Sequence, residues 1–396
     1  MLASASLGEL LLDDGETEKA IDVMKKGLAA HPNHLALVDA TAQAMLSIGQ
    51  VDEASAVTER ALETFDGEGW AHGSRARVLL ARGDSAKALS ALDQAIELSP
   101  EDARLHALRG DAARDVGSVE SAKTSYEKAL QLNPAEARAL SGYLALLIDI
   151  GDFPSAGEVM QQMDEAKVRD LRSDEQRLRY LVRTGAGQSG LVTMRNAVSR
   201  HSKNVPLRLA GARVALQAED YSRAMSYYQI AKRDGADARM AQTALALAQL
   251  YGRRKLGAEN SLERALEATD EEGNKLDASP EVQVWELIVK ARLALADEMR
   301  GLAVRYAKQA SAIRPDDVDL ALLQADIEED RERSPEEALR RAVAAEVPMP
   351  IASGRLGVLL GPTEEGCDLV ASYLRANRGG KMARKARVVR DQCASE

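Results

Sequence analysis

Large aromatic side chains are scarce in this 396-residue chain: two Trp, two Phe and nine Tyr make up 3% of it. With so few rings and so much alanine, closely stacked helices are expected rather than one large globular core. Cysteine is nearly absent as well. Cys367 and Cys393 both lie close to the C-terminus, and two cysteines alone do not fix a redox compartment. Reduced thiols are the expectation, and a bridge joining the last two helices is the alternative. There is no P-loop, GxGxxG, HExxH, nucleophile elbow or CxxC, so no catalytic, cofactor-binding or metal-ligating residue is expected. No run of about 18 apolar residues is present to span a membrane. No basic segment followed by an apolar core marks a signal peptide, which leaves cytoplasm and periplasm both open. A net charge of −10 argues against nucleic acid, which is gripped mainly by clustered Lys and Arg.

What the chain does have is a period of 34 residues. With units starting at residues 1, 35, 69, 103, 137, 171, 205 and 239, the twentieth position reads Ala20, Ala54, Ala88, Ala122, Ala156, Gly190, Ala224 and Ala258. The twenty-seventh reads Gly27, Ala61, Ala95, Ala129, Met163, Ala197, Ala231 and Ala265. The fifteenth is Gly15, Gly49, Gly83, Gly117, Gly151 and Gly185 before the glycine lapses. Small residues at fixed places let helix backbones approach closely. Glycine between two short amphipathic helices permits the positive φ of a helix C-cap. Pro32, Pro100 and Pro134 close three of the units.

This pattern resembles the tetratricopeptide-repeat family over roughly residues 1–270. The resemblance implies an all-α, right-handed superhelical solenoid of helix pairs, with the first helix of each pair lining a concave face. The large residues that the family favours at positions 4 and 11 are mostly missing, so no subfamily is assigned. The chain then breaks phase at Glu271–Pro280 and resumes with Ala303, Ala310 and Pro315, and again with Ala338, Ala345 and Pro350. The expected organisation is eight in-phase units over 1–270, two divergent pairs over 281–350, and a C-terminal helical cap over 351–396. That makes about ten helix pairs in all. The cap should contain a short helix, a Gly361-Pro362 break and a hairpin turning at Gly379-Gly380.

Local chemistry refines this. Ser99-Pro100-Glu101-Asp102 and Ser334-Pro335-Glu336-Glu337 read as helix starts. Pro154 is tolerated in a first helical turn. Gly185, Gly187 and Gly190 should weaken the second helix of the sixth unit. His72 and His106 share position 4 of consecutive units, yet no third ligand accompanies them, so they read as packing residues rather than a metal pair. His31 and His34 flank Pro32 in a turn. The basic stretch Lys381–Arg390 reads as a solvated helix face.

The resemblance places positions 2, 5, 9, 12 and 13 on the concave surface, and their spacing puts them on one helical face. In units three to seven those positions hold Arg77, Arg104, Arg114, Arg138, Arg172, Arg179, Arg183 and Arg213 beside Asp111, Asp115, Asp149 and Glu175. Units one and two offer Glu9, Asp13 and Asp39 and no base. Two readings stand. One is a basic groove gripping an acidic or carboxylate-bearing segment, with Trp70 as anchor. The other is Arg–Asp pairing between neighbouring helices. The family's lysine–asparagine carboxylate clamp is not reproduced.

The functional expectation is a non-enzymatic scaffold that binds a partner protein or peptide in its groove, with bacterial envelope assembly or secretion as the analogy. Direct binding of an anionic polysaccharide is an alternative that the shortage of aromatics disfavours. Another is the repeat portion of a longer secretion or exopolysaccharide-export protein, suggested by Met1 opening directly on a repeat helix. Oligomeric state is left open.

Overall fold

The computed structural model describes residues 7–8, 10–11, 17–31, 35–270 and 272–394. Glu9, Asp13, Gly15, Pro32 and His34 lie outside the described residues. The fold is all-α: helix makes up 78% of the described residues, which hold twenty-two bounded α-helices and one short 3₁₀ turn. The lone exception to helix and loop among them is a single bridge between Thr269 and Lys275 in the loop that breaks the repeat phase.

The helices pair as the 34-residue period requires. In the fourth unit Ala103–Asp115 packs on Val119–Leu132, and in the fifth Ala137–Ile150 packs on Phe153–Glu165. Each of these helices is 13 or 14 residues long, about 20 Å at 1.5 Å per residue. The small positions sit where the backbones cross. Ala54, Ala88, Ala122, Ala156, Ala224, Ala258 and Ala303 are all fully buried, as are Ala95, Ala129, Ala197, Ala231, Ala265 and Ala310. Gly110 and Gly142 show why some positions go below alanine. A Cβ on either would stand 2.5–2.6 Å from the ring of Tyr126, which is fully buried.

From Gly49 onward, position 15 behaves as a left-handed cap. Gly49, Gly83, Gly117, Gly151 and Gly185 have φ between +62° and +81°. Where glycine lapses the conformation does not: Glu219, Arg253 and Glu298 carry φ of +58° to +60° at the same place, and Glu332 carries +57° one position earlier. The turn is therefore set by the packing of the two helices it joins, and glycine only makes it cheaper.

Several boundaries differ from the sequence expectation. The helix near Ser99 starts at Ala103, not at the proline. Ser99 ends the previous helix, and Asp102 is the cap, its carboxylate accepting from the Arg104 N–H. The last pair is shortened, because Glu336–Val343 stops before Ala345, leaving that residue only half-buried beyond the helix. Pro350 opens the next helix, Pro350–Leu360, instead of closing a turn. In the sixth unit the glycines form the 3₁₀ turn Gly187–Gly190 and cut the following helix to Leu191–Arg200.

The chain divides into two compact units, Met1–Ser173 and Asp174–Glu396, with the division inside the helix Leu171–Thr184. The second unit is closed by its own ends. The helices Glu364–Ala376 and Gly380–Cys393 fold back onto its first helices. The Tyr373 hydroxyl donates to Glu219 at 2.6 Å, and the fully buried Asn377 amide donates to the Gln217 carbonyl at 3.0 Å. Gln217 in turn donates to the carbonyls of Val182 and Pro348. The thiols expected to be free are not: Cys367 is bonded to Cys393, with Cα atoms 6.0 Å apart. The Gly379-Gly380 turn gives an antiparallel hairpin, and that brings the two positions within bridging reach.

Candidate functional site

The site is built from the inward faces of the first helices of the pairs. Positions 2 and 9 lie two helical turns apart on one face, so charged residues there meet their counterparts on adjacent helices. In the first unit this assembles a cluster on Asp111. Its carboxylate accepts from Arg172 at 2.7 and 3.1 Å, from Arg138 at 2.7 Å and from the Tyr126 hydroxyl at 2.7 Å. Burial would raise the Asp111 pKa, but Arg172, Arg138 and Tyr126 outweigh it and hold the carboxyl below its usual range. Arg77 donates to Asp39 at 2.5 Å, and Asp39 also accepts from the Ser74 hydroxyl.

The remaining arginines singled out in the sequence are also engaged. Arg104 clasps Asp102, and Arg114 lies 3.6 Å from Asp115. In the second unit Arg183 reaches Glu346 at 2.6 Å and Arg213 reaches Asp319 at 3.0 Å; Arg179 is engaged too. Intramolecular pairing thus describes most of the set. Pairing was one of the two sequence readings, but the partners could not be named from it: Asp102 and Glu346 lie outside the helical positions that were counted. Asp39 sits in a unit counted separately, and Asp319 belongs to a pair beyond the phase break.

The Asp111 cluster nevertheless keeps surplus positive charge. Two guanidinium groups share Asp111, and both Arg138 and Arg172 are about one-third exposed. Burial lowers the Arg77 pKa, Asp39 restores only part, and the like charges of Arg138 and Arg104 push it further down. Its buried Nε has no acceptor. Trp70 lies against Phe65, ring centres 5.6 Å apart, with its buried indole N–H also unpartnered.

The histidines resolve simply. The Nε2 of His72 bonds the Asp66 carbonyl at 2.7 Å, and that of His106 bonds the Pro100 carbonyl at 2.9 Å, each closing the turn before its own helix. His31 is exposed. No group of three or more His, Cys, Asp or Glu that could hold a metal occurs among the described residues. No helix there is long and apolar enough to cross a membrane.

Family models of the tetratricopeptide repeat match residues 11–72, 74–122 and 107–167. The matched residues are tetratricopeptide repeats. Beyond residue 167 the repeat geometry continues in the left-handed residues at 219, 253, 298 and 332. Among solved structures, the repeat protein is similar to a tetratricopeptide repeat protein from Parabacteroides merdae, at 18% identity over 62% of this chain and 98% of that one, TM-score 0.43. It is also similar to MamA from Desulfovibrio magneticus, at 21% over 42% and 93%, TM-score 0.33. A third likeness is to a thermophilic repeat protein of Thermus thermophilus, at 19% over 54% and 98%, TM-score 0.37. No curated protein matches the chain.

Proposed function

We propose that this protein is a non-enzymatic scaffold whose first unit holds a carboxylate-bearing segment of a partner protein. The observation that carries the reading is the surplus of guanidinium donors around Asp111: Arg138 and Arg172 share one carboxylate, and Arg77 beside them is under-compensated. Forked donors on a preformed face suit carboxylates and need little reorganisation to bind them. Trp70, on the same helix as Arg77, provides a further half-buried apolar surface.

The test is a titration of a fluorescein-labelled dodecapeptide carrying three glutamates, read by anisotropy. Replacing Arg104 and Arg138 with Ala is expected to weaken binding about tenfold without loss of helicity. Binding to the parent should also fall as salt rises, because exposed charges are screened over about 8–10 Å. Changing Arg384, Lys385 and Arg387 on the last helix should leave it unaltered. Equal binding by the Arg104/Arg138 variant at every salt concentration would remove the reading.

The bonded Cys367–Cys393 pair favours an oxidising compartment, which fits a place in bacterial envelope assembly or secretion. Thiols alkylated before lysis and counted under denaturing, non-reducing conditions should number zero. Two free thiols would return the protein to a reducing compartment.

A further inference from the structure

The second unit contains a cavity on the inward side of its helices. Residues from its first helices, from Pro280–Ala296 and from the loop after Glu336–Val343 enclose about 290 Å³. Leu209, Tyr228, Met240 and Trp285 supply its apolar wall. Pockets for drug-sized ligands run from about 300 to 1,000 Å³. This one has room for a single bulky side chain and its flanking backbone.

Its charge is opposite to that of the Asp111 cluster. Arg213, the cation deepest in the wall, is consumed by Asp319, itself 1% exposed. Glu346 is taken by Arg183, and Arg314 stands 3.8 Å from Glu281. Asp316 and Asp317, also in the lining, are matched by no cation within ion-pair distance among the described residues. Asp316 is exposed at the mouth, whereas Asp317 is buried and caps the helix Val318–Asp330 with its carboxylate. Burial and the neighbouring Asp319 push the Asp317 pKa up to about 6, although the Leu320 N–H and the charges of Arg213 and Arg314 pull the other way. A tryptophan in a concave wall under an unbalanced acidic rim is complementary to one kind of occupant.

We propose that this cavity is a second binding site, taking a bulky aliphatic or aromatic side chain of a partner protein that has lysine or arginine next to it. Trp285, Met240 and Leu209 bury the apolar group. Asp316, unmatched at the mouth, receives the cation. The protein then presents two recognition surfaces of opposite charge preference, one on each unit.

Three fluorescein-labelled hexapeptides test it, built on Lys-Leu-Lys, Glu-Leu-Glu and Lys-Gly-Lys and read by anisotropy with the full chain. Saturable binding is expected for Lys-Leu-Lys alone, with at least tenfold weaker binding of the other two. Replacing the exposed Asp316 with Asn, a change harmless to folding, should cost about tenfold and flatten the salt dependence. Met240→Arg, which fills the cavity and adds a like charge, should abolish binding while helicity is retained. Arg104→Ala with Arg138→Ala in the first unit should leave Lys-Leu-Lys binding untouched, so this site and the first-unit site fail independently. No saturable binding of Lys-Leu-Lys, equal binding of Glu-Leu-Glu, or indifference to both second-unit variants would overturn the assignment.

Discussion

Glu298 and Glu332 hold left-handed backbone with exposed side chains, a conformation costing a residue with a Cβ about 1–2 kcal/mol. Glycine removes that strain but forfeits about 0.5–1 kcal/mol of chain entropy. Glu298→Gly is therefore expected to raise stability by up to about 1 kcal/mol in a urea titration. Glu219 shares the strain, but its carboxylate accepts from Tyr373 and Asn377, so Glu219→Gly should destabilise the second unit instead. Asp174 poses a different problem. It is fully buried and bonded to Arg177, 1% exposed, and to Arg200. Removing one partner of such a set costs about 3–5 kcal/mol, so Asp174→Ala should lower the unfolding midpoint sharply. Asp317 makes a pH prediction. Its folded pKa, about 6, lies above the ordinary 3.8, so the folded state holds the proton more readily. Stability should decline as pH rises from about 4 to 6. In Asp317→Asn, which keeps a capping side chain, that decline should vanish, a gain on the order of 3 kcal/mol above pH 6.

At the scale of helices, the crossings were legible in the sequence because small residues recur there every 34 positions, and Ala122 and Ala129 are buried as that period requires. Ala122→Leu overpacks its crossing and should cost about 1–3 kcal/mol; Gly110→Ala, driven into the fixed ring of Tyr126, belongs to the same class. What the period did not disclose was side-chain partnership. The arginines of the concave face could be located by position, yet their counter-ions come from turns and from helices as far away as Asp319 is from Arg213, 106 residues along the chain. A periodic pattern reports what repeats, and these partners do not. Trp285 was passed over for a related reason: it lies beyond the phase break, outside the units whose concave positions were read. The shortened helix Glu336–Val343 escaped because Ala345 fits the small-residue pattern although the chain has already left the helix.

At the scale of the whole molecule, each unit answers a different mechanical demand. In the first, every helix pair leans on its sequence neighbours, and stability should be close to a sum over repeats. In the second, the hairpin held by Cys367 and Cys393 carries Tyr373 and Asn377 to the other end of the unit. A loop of 26 residues closed by a disulfide is worth about 3–4 kcal/mol in chain entropy. Reduction, or Cys393→Ser, is expected to speed amide hydrogen exchange at both Glu364–Ala376 and Val205–Gln217 and to leave Ala103–Asp115 at its original rate.

Closure also limits how the protein can change in length. An open stack accepts another repeat as a ladder accepts another rung. A loop whose last element must meet its first admits only one count. Excising one 34-residue repeat from the first unit should give a shorter chain that still unfolds cooperatively. Excising residues 284–317 from the second would carry Tyr373 away from Glu219, and limited proteolysis should then find cleavage around Gly379 that the intact protein resists. Duplication, the ordinary route by which repeat proteins grow, is in that half of the chain a way to break it.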